Sequence, residues 1–405
     1  MDAFSRRRFL AAAGLAALAG CTGGNGGDGG NGDGGDGGDG GNGGNGDGGD
    51  GGDGTSDPPT TATSGAGGAD SGTTSADGAG TDVSTALPLA DATLPLPGAP
   101  ADLRDAARSG GPPKDGIPSI DDPQFVAADA ADYLDPGDPV FGVARDGVVK
   151  AYPQKILVWH EIVNDHLGDR PVSVTYCPLT GTVLGFERGD TTFGVSGRLL
   201  NNNLIMYDRA TEAWWPQVLG TTIAGPWNGA PGQHSLRQFR LVWTTWEQWR
   251  ETNPETRVLS TNTGHAKNYG RDPYGSYNPR GGYYDSGGPL FTALNDDDRY
   301  EPKTVFLGAR SPAGAVAFRK DRLREAGSLT GDLGDTPVVA VHDRRYDTGY
   351  TYRNPDGLAL ERDGEEVVVG DERHAPDEVP LDRVHTFDAM WFAWAGFYPE
   401  TEVYA

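Results

Sequence analysis

The chain has 405 residues, of which 58 are Asp or Glu and 33 are Lys or Arg, so its formal net charge is −25. A chain this acidic repels phosphate backbones, which argues against nucleic-acid binding. Its only two cysteines, Cys21 and Cys177, exclude a disulfide framework. Dense carboxylates with few lysines are typical of proteins that stay soluble in concentrated salt, and they indicate a halophilic, haloarchaeal source.

The N-terminus has the features of an export signal. Arginines at positions 6 to 8 precede an apolar run over residues 9–19, which is too short to span a bilayer because a spanning helix takes about 20 residues. The arginines match a twin-arginine signal, and Leu18-Ala19-Gly20-Cys21 resembles a lipobox. We predict a twin-arginine lipoprotein signal over residues 1–21 and a lipidated Cys21 that holds the chain at the outer face of the cytoplasmic membrane. The alternative is an ordinary secretory signal with a chance cysteine.

Residues 22–100 form a low-complexity segment. They consist mainly of Gly, Asp and Asn, and then of Thr, Ser, Ala and Gly. Almost no apolar side chain is available to offset the entropy of ordering the chain, so this segment cannot build a core. We predict a flexible spacer, extended by repulsion between its aspartates and either bare or O-glycosylated along its Thr/Ser part.

The remaining residues contain an internal repeat. The segment Val140-Phe141-Gly142-Val143-Ala144-Arg145 is similar to Val305-Phe306-Leu307-Gly308-Ala309-Arg310, and a Gly-Asp-x-Pro turn at residue 168 recurs at residue 334. The spacing between matching segments is nearly constant, as expected for a duplicated unit. We predict an α+β, mainly β fold in which a few short helices pack on the sheets. Its first repeat covers residues 101–265, and its second covers residues 266–405 with a C-terminal helix.

Further elements follow from the residue patterns. Strands are predicted at 192–198, 203–207, 214–218, 237–242 and 258–259, and helices at 246–252 and 387–397. The polar residues between two of these strands indicate a solvated hairpin turn, with a polar pocket as the alternative. These polar residues are Arg198, Asn201, Asn202, Asn203 and Asp208.

Candidate chemistry lies in the first repeat. Helical spacing places Ile156, Trp159, His160 and Val163 on one face of a short helix, which directs His160 towards the sheet. The next strand ends at Cys177, before a bend marked by proline and glycine. Alternation along this strand separates the face that carries Cys177 from the face that carries Tyr176, and either one is open to the helix.

An imidazole beside a thiol lowers the thiol pKa and creates a nucleophile or a soft metal ligand. We therefore predict a catalytic site of Cys177, His160 and Glu161, in which Glu161 orients the histidine or carries protons. Cys177 and His160 are also the candidate ligands for a soft metal such as copper or zinc. The structural alternative is a buried cysteine that acts as a small apolar residue beside a satisfied core histidine. The second repeat has Ala326 and Asp343 at the matching positions, so the pair belongs to one copy only.

Several motifs resemble domain-of-unknown-function family 3179. The resemblance covers residues 115–404 and rests on Trp159-His160-Glu161-Ile162-Val163-Asn164-Asp165, Thr175-Tyr176-Cys177-Pro178-Leu179, Phe193-Gly194-Val195-Ser196-Gly197 and Met206-Tyr207-Asp208-Arg209. It implies that His160, Glu161 and Cys177 lie on family motifs. Many members have a second cysteine where this chain has Thr180, so a dithiol cycle within the motif is not available here. The family has no established activity, and the resemblance adds no reaction.

The sequence leaves two functions open. The first is a membrane-anchored extracytoplasmic lipoprotein that uses the single-thiol site for soft-metal binding or thiol chemistry. The second is a non-catalytic module that binds a solute or a cell-surface polymer. Its candidate site is an aromatic segment of Asp272, Tyr274, Tyr277, Tyr283, Tyr284 and Asp285, which suits a sugar or a hard cation such as calcium, or is a plain surface loop. The membrane, reached through the lipid, is the only predicted partner.

Overall fold

A computed structural model describes residues 87–405, apart from residues 226–232 and residue 286. The predicted signal, Cys21 and most of the predicted spacer lie outside the described residues. Within the described part of the chain, no helix has the length and apolar character needed to cross a membrane.

Short helices and many strands make up the described residues, which confirms the α+β, mainly β fold class. The helices are α1 Pro100–Ala106, α2 Gln154–His160, α3 Trp246–Thr252, α4 Lys320–Ala326 and α5 Trp391–Phe397, with a 3-10 turn at Ala128–Ala130. The first strands are β1 Arg108–Ser109, β2 Phe125–Ala127, β3 Pro139–Arg145, β4 Val148–Pro153, β5 Ile162–Leu167, β6 Arg170–Cys177, β7 Thr182–Glu187, β8 Phe193–Leu200, β9 Asn203–Asp208, β10 Trp214–Pro216, β11 Gln238–Phe239, β12 Val242–Thr245 and β13 Arg257–Leu259. The later strands are β14 Gly275–Tyr277, β15 Arg280–Gly282, β16 Val305–Ser311, β17 Gly314–Arg319, β18 Ser328–Leu333, β19 Thr336–Asp343, β20 Thr348–Arg353, β21 Leu360–Asp363, β22 Glu366–Val369, β23 Glu372–His374, β24 Arg383–Val384, β25 Thr386–Met390 and β26 Glu402–Tyr404.

The two copies share one topology. In the first copy the sheets have the orders β12-β3-β4-β13-β2 and β11-β7-β6-β5, and in the second the orders are β25-β16-β17-β26 and β24-β20-β19-β18. In both copies a seven-residue helix joins the second strand of one sheet to the first strand of the other. The register matches as well, because β12 pairs with β3 as β25 pairs with β16.

The copies differ in what they insert before β11 and its counterpart β24. The first copy inserts β8, β9 and β10, which form a sheet with β1, and the second inserts the smaller sheet of β21, β22 and β23. The hairpin of β14 and β15 lies between the copies in the chain. It carries the aromatic segment that the sequence identified.

A close approach of glycine to tryptophan recurs in both copies. An added Cβ would lie 2.2 Å from the Trp249 ring at Gly142 and 2.1 Å from the Trp394 ring at Gly308. Each tryptophan Nε1 donates a 3.0 Å hydrogen bond to a threonine hydroxyl, Thr256 in the first copy and Thr401 in the second. Because only glycine leaves room for the ring, α3 and α5 can lie directly on their sheets.

Three local predictions were wrong. The predicted helix at 387–397 is split, because its first residues pair with β16 as strand β25 and only Trp391–Phe397 is helical. The predicted strand at 237–242 is two strands in two sheets. Val163 belongs to β5, because the α2 helix ends at His160.

The two faces of strand β6 pack into different clusters. Tyr176 packs with Ile156 and Leu157 of α2, on the helix side of the sheet. Cys177 packs on the other side, in the large cluster that includes Leu184 and Phe306. The sheet therefore separates the thiol from the body of the helix.

Candidate functional site

His160 is the last residue of α2 and is fully buried. Its Nδ1 lies 2.7 Å from the carbonyl oxygen of Pro118, and its Nε2 lies 2.7 Å from the Tyr269 hydroxyl. A carbonyl can only accept, so Nδ1 carries the proton and Nε2 accepts from the tyrosine. Burial lowers the pKa of His160 to about 4, and the charges of His265 and Lys267 act in the same direction. The imidazole is neutral, and both of its nitrogens are engaged away from the thiol.

Cys177 is 1 % exposed at the end of β6. Its Sγ lies 3.6 Å from the carbonyl oxygen of Asn202, to which the thiol donates. Burial and, second, the charge of Glu161 raise the pKa of the Cys177 thiol to about 11, against the opposing effect of a hydrogen bond with Thr180. The resting thiol is therefore protonated at neutral pH.

Glu161 is the predicted site residue whose backbone is bonded to the strand that carries the thiol. Its carbonyl oxygen accepts a 2.8 Å hydrogen bond from the amide of Tyr176, the residue before Cys177. Its side chain is 7 % exposed, and burial raises the pKa of the Glu161 carboxyl to about 8. No ion pair joins this carboxyl to another described residue. The Glu161 backbone thus joins the strand that ends at Cys177, and the charge of Glu161 raises the pKa of the thiol, whereas His160 bonds to Pro118 and Tyr269.

The backbone conformation of Glu161 is also unfavourable. Glu161 has φ +58°, a left-handed conformation that side chains with a Cβ rarely adopt. Gly327 holds the equivalent position after α4, with φ +87°, where glycine adopts it freely. A buried carboxyl in a left-handed conformation is disfavoured twice, and such strain concentrates at functional sites.

Tyrosines of the aromatic segment cover the thiol. Tyr274 and Tyr283 pack against the apolar cluster that contains Cys177. Burial and then the charges of Glu161 and Cys177 raise the pKa of Tyr274. The Tyr283 hydroxyl donates a 2.7 Å hydrogen bond to the carbonyl oxygen of Leu179, just after the thiol strand. We call Glu161, Cys177, Tyr274 and Tyr283 the thiol cluster. The aromatic segment and the Cys177 motif are parts of one region, which the sequence did not indicate.

The rest of the aromatic segment is tied into the fold. Asp272 Oδ2 accepts hydrogen bonds from Gln154 Nε2 (2.7 Å) and from the Tyr284 hydroxyl (2.9 Å). Tyr284 is fully buried and stacks on Tyr277, with ring centroids 3.8 Å apart. Among the residues described, no group of three or more His, Cys, Asp or Glu is placed to hold a metal ion.

The asparagine turn between β8 and β9 is buried, so its prediction as a solvated turn was wrong. The amide of Asn201 donates to the carbonyl oxygen of Ala393, and that of Asn202 donates to Phe291. Asn203 donates to the Thr180 hydroxyl at 3.0 Å, at the position where many family members have the second cysteine. These side chains replace solvent with contacts to neighbouring segments.

Residues 114–401 match the family model described as a protein of unknown function, DUF3179. The chain belongs to this family. The match covers most of both copies of the repeat and the whole thiol cluster. No curated protein and no solved structure matches the chain. The function of this DUF3179 protein therefore has to be argued from its own residues.

Proposed function

We propose that the chain is an exported, lipid-anchored protein whose working group is the Cys177 thiol, with Glu161 as its proton acceptor. The observation that carries this proposal is Glu161 itself, a buried carboxyl in a left-handed conformation whose charge raises the pKa of the only cysteine of the repeats. The second copy has Gly327 and Asp343 at these positions, and Asp343 is paired with Arg345 at 2.7 Å. The fold does not need the pair, because the equivalent copy lacks it.

The raised pKa of Glu161 suits general-base catalysis. A carboxyl with a pKa of about 8 is a stronger base than an ordinary glutamate, and it exchanges protons near neutral pH. As Cys177 sulfur bonds to an electrophilic atom of the substrate, its proton passes to the Glu161 carboxylate. The leaving group departs with the bonding electron pair and takes that proton back. The thiol never has to exist as a free thiolate in its buried position.

His160 contributes through position. Its bonds to Pro118 and Tyr269 fix the end of α2. Glu161 follows directly in the chain, so these bonds also fix the start of the carboxyl-bearing turn. His160 thus acts as a support for Glu161, with both ring nitrogens bonded to groups other than the sulfur.

A soft metal is the other use of this thiol. Zinc takes three or four protein ligands, whereas Cys177 and Glu161 supply two. Copper(I) accepts fewer ligands and prefers thiolate sulfur, and either metal would have to displace the protons of both groups. The donor set fits thiol chemistry better than a zinc centre.

The test uses the full chain with Cys21→Ser, so that Cys177 is the only thiol. Native protein is treated with iodoacetamide at pH 8, and intact mass and bound copper and zinc are measured. We expect one adduct per chain, absent in the Cys177→Ser variant, and no stoichiometric metal. A native thiol that stays inert while the unfolded chain reacts would reject the proposal, and one Cys177-dependent metal ion per chain would replace it with the metal site.

Anchoring at the outer face of the membrane is a separate proposal, supported by the export signal and by Cys21. Cys21→Ala should move the protein from the membrane fraction to the medium in cells that export it, with its fold unchanged. Continued membrane association of this variant would contradict the proposal.

The alternative function, a non-catalytic binding module, is favoured by a different observation. Tyr277 of the aromatic segment borders a cavity between the two copies. A solute-binding role would not require Cys177.

A further inference from the structure

A cavity of about 630 Å³ lies between the two copies. Equivalent positions line it from both sides, such as Gly181 and Asp347, or Trp243 and Asp388. Its size is in the range of small-molecule sites, which are commonly found where two structural units meet.

The start of α2 in the first copy is equivalent to the start of α4, which borders the cavity in the second copy. Gln154, at the start of α2, donates to the carboxylate of Asp272, and the rings of Tyr277 and Tyr284 cover it. In the first copy, a carboxylate and aromatic rings of the chain itself therefore pack at the helix start. In the second copy Lys320 holds the position of Gln154 at the helix start, pairs with Asp388 and borders the cavity.

The charges of the cavity favour an anion. Three acids on its wall form ion pairs, since Asp321, Asp347 and Asp388 bond to Arg319, Arg324 and Lys320 at 2.6, 2.6 and 2.5 Å. Among the described residues, Asp388 Oδ1 and Arg319 Nε have no hydrogen-bond partner, so the wall keeps one free acceptor as well as a free donor. The cavity residue Arg280 forms no ion pair with any described residue. The Lys320 ammonium has three donors, and within the described part of the chain it uses one, on Asp388. One uncompensated positive charge and spare ammonium donors therefore face the cavity.

An aromatic wall completes the site. The rings of Trp243 and Tyr277 meet edge to face, with centroids 5.0 Å apart and an angle of 72° between their planes. Both rings are half-buried and line the cavity. Such a corner accepts the flat face or edge of a ring.

We propose that this cavity binds a small organic carboxylate with a flat ring. Its carboxylate accepts hydrogen bonds from Lys320 and Arg280, and its ring packs against Trp243 and Tyr277. The ring of the ligand then takes the part that Tyr284 has in the first copy, and its carboxylate joins Asp388 as a second acceptor for Lys320. This inference goes beyond the thiol chemistry and gives the binding-module alternative a site and a ligand class.

The experiment uses 4-hydroxyphenylacetate, which carries the carboxylate and the phenol ring that fill the first copy. Binding to the full chain is measured by calorimetry and by tryptophan fluorescence. We expect a dissociation constant below about 1 mM. The neutral analogue 4-hydroxyphenylacetamide should bind at least about tenfold more weakly, since it lacks the charge.

Variants separate the cavity from other surfaces. Arg280→Gln should weaken binding by about tenfold, and Thr304→Trp, which fills the cavity, should abolish it in a protein that remains folded by circular dichroism. Arg322→Gln is the matched control, because Arg322 is an exposed arginine of α4 outside the cavity.

Binding should survive Cys177→Ser, so its loss there would tie the site to the thiol cluster and overturn the inference. Equal binding of the acid and the amide, no binding at millimolar concentration, or an unchanged Arg280→Gln variant would also overturn it, and none of these results bears on the thiol proposal.

Discussion

Replacing Glu161 with glutamine should make the protein more stable than the wild type at pH 9 and should change little at pH 4.5. The folded state holds the Glu161 proton up to a pKa of about 8, whereas the unfolded chain loses it near 4.5. Between these values the folded state binds more protons, so stability is lost as pH rises through the window. A pKa shift of this size corresponds to about 4 to 5 kcal/mol of stability lost between pH 4.5 and pH 9. Glutamine cannot ionise, so the variant does not lose this stability.

The measurement is the free energy of unfolding in urea at pH 4.5, 7 and 9 and at fixed salt. Glu365→Gln is the matched control, because Glu365 is exposed and its charge stays in water. Its stability should follow the wild type at each pH. A Glu161→Gln variant that also follows the wild type across the range would show that the carboxyl is not buried without a counter-charge.

The second large effect concerns the glycines under the tryptophans. Gly142→Ala and Gly308→Ala each place a methyl group about 2 Å from an indole ring, where real contacts need more than 3 Å. The rings cannot move aside easily, because Trp249 and Trp394 are buried and hydrogen-bonded. We expect each change to destabilise the fold by about 3 kcal/mol.

Gly281→Ala is the control for these variants. A methyl group added at Gly281 would meet no heavy atom within 4 Å, and the residue does not have a positive φ. Its replacement should change the unfolding free energy by less than about 0.5 kcal/mol. If Gly142→Ala and Gly308→Ala change the unfolding free energy as little as Gly281→Ala does, the tryptophans of α3 and α5 do not pack directly on these glycines.

Much of the fold could be predicted from the sequence, because the repeat reflects local constraints. The segments around Gly142 and Gly308 match since both must admit a tryptophan ring, and both Gly-Asp-x-Pro turns join a pair of neighbouring strands. The helix at 387–397 was extended too far because the residues of β25 are all buried, so they lack the alternation that marks a half-exposed strand.

The site was harder to predict, because its geometry depends on which face of a sheet the helix covers. Alternation along β6 separates Cys177 from Tyr176, but only the packing of α2 against Tyr176 shows that the thiol is on the far side. A usable signal for Glu161 was present in the repeat. Gly327 at the matching position indicates a left-handed turn after the helix, which makes a glutamate there unusual.

The central claim, that Glu161 takes the proton of Cys177, is tested most directly by the pH dependence of Cys177 alkylation. The rate is measured on the Cys21→Ser chain with and without Glu161→Gln. Gly142→Ala serves as a destabilised control, because a reaction that requires unfolding would accelerate in it. We predict that the rate rises around pH 8 in the parent and in Gly142→Ala alike. Glu161→Gln should lack this rise and react at least about tenfold more slowly at pH 8.5. Identical profiles with and without Glu161, or a rate that follows stability, would contradict the account.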